Sequence, residues 1–115
     1  MAMNGQRPDV TDEEIGMRTF QLRKARAVER ATDRMRKGLG KEWSSFSGPE
    51  IEAIGYVLGE LWAYIAHSEW DDLKFSTLTL DDVHKILDYA RELVDHHRNS
   101  VEVLMDVHTL IVSQG

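Results

Sequence analysis

SGPEIEAIGYVLGELWAYIA, residues Ser47 to Ala66, is the stretch on which the fold turns. It opens on a helix-start signal. Ser47 can accept a hydrogen bond from an early backbone N–H, Glu50 can reach back to the cap, and Pro49 sits in the first turn, where its missing N–H costs nothing. Behind that start, Ile51, Ile54, Tyr56, Val57, Leu58, Leu61, Trp62 and Ile65 make a helix of about 49–68 apolar nearly all round. Such a helix is covered on several sides. The sixteen residues from Ile51 to Ala66 include Glu52 and Glu60 and fall short of the roughly 20 apolar residues a membrane span requires. The segment therefore reads as a central core helix. Gly55 and Gly59, four apart, leave one face open to the close approach of another backbone.

Two further helix starts flank it. Thr11-Asp12-Glu13-Glu14 has the form of a capping box, and so does Thr79-Leu80-Asp81-Asp82, whose carboxylates also suit the positive end of a helix. The first predicts a helix over 12–37, stopped by Gly38-Leu39-Gly40. Its apolar seam, Met17, Phe20, Lys24, Val28, Ala31 and Met35, is thin, so this helix either projects or is clasped by another subunit. The second opens a seam of Val83, Leu87, Ala90, Val94, His97, Val101, Leu104, His108 and Ile111, in alternating steps of four and three. Either one helix runs to the C-terminus or two meet in register at Asn99-Ser100; the sustained phase favours one. Strand-type alternation is hard to find.

These patterns predict an all-α protein, a small helical bundle of three to four helices with long N- and C-terminal helices, and dimerisation to bury the excess seam. Residues 1–10 are expected to form a disordered tail and 11–115 a single helical domain. The self-association candidates are Gly55 and Gly59 on the middle helix and Val94, His97, Val101 and Leu104 on the last.

Charge is distributed unevenly over the 115 residues, whose net is −6. Between Arg18 and Lys41 stand nine of the fourteen basic residues against only Glu29 and Asp33, whereas residues 42–115 hold four bases against fourteen acids. Arg23, Arg26, Arg30, Arg34 and Lys37 fall on one face of the first helix, within an arc of roughly 80°; Lys41 extends the row only if the helix continues. Such a row docks on an acidic protein surface or a second copy of the chain, or neutralises nucleic-acid phosphates. The plainer reading is a solvated face in which Asp33 pairs with Lys37 and Glu29 offsets Arg26. Two acids cannot neutralise nine bases, and the acidic remainder repels nucleic acid. A protein partner therefore ranks first and a nucleic-acid-binding regulator second. The glycine-rich turn followed by Trp43 and Phe46 does not read as a helix-turn-helix.

Chemistry finds little support. With no cysteine, disulfides and thiolate zinc sites are excluded. His84 with Asp88 and Glu92 with His96 repeat an i,i+4 spacing that a metal could use, the basis of a third reading as a metal-dependent helical enzyme; no third ligand is fixed, and no metal or cofactor is expected. His97 and His108 fall in the seam, where they would be interfacial switches or satisfied edge histidines. The acidic loop from His67 to Asp82 lacks the alternation and central glycine of a calcium loop; Trp70 and Phe75 pin it to the core, or the loop receives another copy's basic row. Trp43 and Phe46 form a lid or a partner anchor. No nucleophile elbow or phosphate loop is present. The expectation is a non-enzymatic interaction protein. The first eight residues have no apolar signal-peptide core and no membrane partner is implied, so the expected location is the cytoplasm or an equivalent compartment.

Overall fold

The computed structural model describes residues 12–113, with side chains from Gly16 onward. The expected 1–10 tail and the cap at Thr11 lie outside the described residues. Within them the chain is all-α, with no strand and five α-helices rather than three or four: α1 (Asp12–Leu39), α2 (Gly48–Tyr64), α3 (His67–Asp71), α4 (Leu80–Asp95) and α5 (Ser100–Ser113). Short 3-10 turns occupy Gly40–Ser45 and Phe75–Thr77. No described helix is long and apolar enough to cross a membrane.

α2 is the central element, packed by α1, α4 and α5. Its start is the expected box: Ser47 Oγ accepts from the Glu50 N–H at 3.3 Å and the Ser47 N–H donates to Glu50 Oε1 at 2.8 Å. Thr79 and Asp82 repeat the exchange at the head of α4, at 3.2 and 2.9 Å. Ile54, Val57, Leu58 and Leu61 of α2 meet Ala31 and Met35 of α1, Val83, Ile86 and Ala90 of α4, and Val103, Val107 and Ile111 of α5 in one core. Phe46 joins this core and Trp43 packs against it, so the pair is a lid.

α1 runs two residues past the expected 37, through Gly38 and Leu39, and ends at the last residue of the expected stop, Gly40, whose φ of 60° is the left-handed conformation that glycine adopts without a side-chain clash. Gly38 is needed for another reason. A Cβ there would run into the backbone carbonyl of Ser76, whose carbon lies 3.1 Å away, so the turn at Phe75–Thr77 seats directly on α1. At the other end α1 overhangs the body. Met17 shares the helix face of Met35 yet is 59% exposed, and three residues on Phe20 packs against Trp62, ring centroids 5.3 Å apart. At about 1.5 Å per residue α1 is about 42 Å long, the longest element of a molecule 59 × 31 × 28 Å in extent.

The expected long C-terminal helix is broken. His96 adopts a left-handed φ of 57°, and its neighbour's N–H turns back to the carbonyl of Glu92 at 3.3 Å, closing α4. Asn99 Oδ1 then accepts from the Val101 N–H at 2.9 Å to start α5. Arg98 clamps the corner, donating to Glu92 of α4 at 3.4 Å and to Asp106 of α5 at 2.6 Å. The heptad phase across 95–100 was a coincidence of register between two helices.

Candidate docking groove

Because α1 is unbroken to Leu39, Arg23, Arg26, Arg30 and Arg34 stand on one face and rise about 16.5 Å along its axis. They form one wall of a groove of about 330 Å³, above a floor of Ala27 and Ala31. The facing wall comes from the α2–α3 corner and the following turn: Trp62, His67, Trp70, Asp71 and Phe75. Local chemistry builds that wall. Trp70 drives the short α3 inward onto Phe75, ring centroids 5.0 Å apart. His67 stacks on Trp62 at 5.5 Å with a 20° tilt. Trp62, Trp70 and Phe75 are only 8, 8 and 1% exposed, so they support the wall from beneath.

The four arginines are exposed and make no hydrogen bond or ion pair with any described residue. Their neighbours are committed elsewhere. Arg36 and Lys37, the latter at 3.1 Å, both bond Asp33, and these bonds hold the Asp33 carboxyl below its ordinary pKa. Lys37 thus shares the face but not the free charge. Lys24 turns from the row toward Glu60 at 3.8 Å. Lys41 lies in the 3-10 turn past Gly40, outside the row.

The self-association candidates are scattered. Gly55 and Gly59 face α1 of the same chain: added Cβ atoms would lie 3.5 Å from Val28 at both sites and 3.5 Å from Lys24 at Gly59. The close approach is thus met within the fold. Val94 and Val101 are exposed on either side of the α4–α5 corner, His97 is exposed beside Asp95, and Leu104 is core, so the four share no seam. His108, by contrast, sits at the core edge with Nε2 3.9 Å from Glu69 of α3.

The metal-spaced residues have other roles. His84 lies against the Phe46 ring at 4.9 Å, Asp88 accepts from Arg91 at 3.2 Å, Glu92 accepts from Arg98, and His96 closes α4. Among the described residues no group of three or more His, Asp or Glu side chains is placed to hold a metal ion.

No family model, curated protein or solved structure matches the chain.

Proposed function

We propose that this small helical bundle is a non-enzymatic docking protein that holds an acidic protein surface along Arg23, Arg26, Arg30 and Arg34. The observation that supports it is the set of four exposed guanidinium groups on one rigid face, each without a partner among the described residues. Guanidinium groups bond carboxylates in a two-pronged planar fork, and arginine loses less order per bond than lysine does. The groove's rings favour protein over nucleic acid. Trp62, Trp70 and Phe75 present no open face for a base, and His67 is already stacked.

Fluorescence anisotropy with a labelled glutamate-rich helical peptide, beside a labelled single-stranded oligonucleotide, tests this. Arg26→Glu/Arg30→Glu should weaken peptide binding about tenfold or more, two reversed contacts being enough for that factor. Arg36→Glu, at a position already paired with Asp33, should matter far less. Equal losses from the two variants, or no peptide binding at about 50 mM salt, would refute the proposal. Tighter binding of the oligonucleotide would put the nucleic-acid regulator in its place.

A further inference from the structure

The two sides of the groove carry opposite charge and do not satisfy one another. On one side are the four free arginines. On the other, the α3 ridge exposes Glu69, Asp71 and Asp72. Asp71 lines the groove itself, while Glu69 and Asp72 border the far flank beside Lys74 and His108. No ion pair joins the two ridges, and the one charged contact made by these three acids among the described residues is Glu69 with His108. A surface that sets a cationic ridge beside an anionic one becomes complementary to itself after a half-turn, because each ridge then faces its opposite and every contact is made twice.

We infer that the occupant of the arginine row is a second copy of this chain, seated through a two-fold contact that lays the α3 ridge of each copy on α1 of the other. This rests on the reading of the row as an electrostatic docking site and names its partner. The lengths decide the register. α3 has five residues and spans about 7.5 Å, enough for one step of the row, about 6 Å from Arg26 to Arg30. The central pair, Arg26 and Arg30, therefore takes Asp71 of the other copy, the acid on the groove side of the ridge, with Asp72 next to it at the edge of the contact. Pairing row against row is excluded, because it opposes four positive charges with four. An interface built on exposed charges is weak and screened by salt, so the dimer forms at low ionic strength and high concentration.

Sedimentation equilibrium on the full chain tests the inference. At about 50 mM salt the mass should climb with concentration from 13.2 kDa toward twice that value, and the dissociation constant should rise about tenfold by 300 mM. Arg26→Glu/Arg30→Glu and Asp71→Lys/Asp72→Lys should each stay monomeric alone. Mixed in equal amounts they should recover a two-chain species, since both sets of contacts are then complementary. Far-UV circular dichroism reports that each variant is folded, and Arg26→Gln/Arg30→Gln provides a milder version with partial loss. A mixture that stays monomeric, or self-association untouched by either variant, overturns the inference. So does a wild-type chain that is monomeric at about 100 µM in low salt. If the glutamate-rich peptide binds in that case, the docking reading survives alone; if it does not, both fail.

Discussion

Three glycines of this protein should respond to the same substitution with opposite signs. Gly55 and Gly59 lie inside α2, where alanine is favoured over glycine by about 0.8–1.0 kcal/mol per site. The added methyl would touch Val28 and Lys24 side-chain carbons at 3.5 Å, ordinary packing distance, so nothing offsets the gain. For 115 residues the unfolding entropy is about 0.24 kcal/mol/K, and 1 kcal/mol moves Tm by about 4 °C. Gly59→Ala should therefore raise Tm by about 3–4 °C. Gly38→Ala meets the carbonyl of Ser76, which is backbone and cannot rotate away, so α1 and the turn at Phe75–Thr77 must separate. Overpacking of this kind costs about 1–3 kcal/mol, a fall of about 4–12 °C. Thermal and urea melts followed by circular dichroism read both signs. A Gly59→Ala variant less stable than wild type would mean that α1 and α2 approach more tightly than described. A neutral Gly38→Ala would mean that the turn does not seat on α1.

His96→Gly should stabilise the chain by about 1 kcal/mol, because φ of 57° is strained for histidine and free for glycine; a loss would argue for a continuous helix. Glu50 accepts the Ser47 backbone N–H, with Arg91 adding at 3.6 Å, and its carboxyl is held below the ordinary 4.5. Its contribution is therefore complete above that value and is lost as pH falls through the lowered one, so Glu50→Gln, which keeps the capping geometry, should be less stable at neutral pH and converge with wild type in acid melts. Hydrogen exchange should be faster at residues 16–20 than at 27–35, since α1 has no buried side chain before Ala31 among its described residues; equal protection would show the overhang to be covered.

How far the fold was legible follows the range of the interactions involved. The starts of α2 and α4 are written in four consecutive residues each, and both boxes form as the spacing dictates. The end of α1 at Gly40 is equally local. The α4–α5 break was hidden because its signals, a left-handed histidine and an Asn cap, are weak beside a heptad phase that continues through it. Arg98 settles the corner only once Glu92 and Asp106 are both near. The early end of α2 at Tyr64 has no glycine or proline to announce it. Ile65 turns extended so that Trp70 can fold back onto Phe75, a tertiary demand. For the same reason the arginine wall could be read from spacing, but its facing wall, drawn from three other places in the chain, could not.

The order of charges along α1 explains why the row stays free. Acid–base pairs on a helix are favoured when the acid lies three or four residues before the base. Asp33 stands before Arg36 and Lys37 and bonds both, leaving Arg30, three residues earlier, without it. Glu29 comes after Arg26 and makes no pair with it. Arg23 and Arg34 have no acid within helical reach on either side. The row is thus unquenched by sequence direction as much as by composition. A single acid placed upstream should quench part of it without removing an arginine. Leu22 is exposed and four residues before Arg26, so Leu22→Glu should pair with that guanidinium and weaken peptide docking about two-fold, the weight of one such pair. Leu22→Gln, equally polar and uncharged, is the control; identical affinities for the two would show that the free charge of the row is not what the peptide reads.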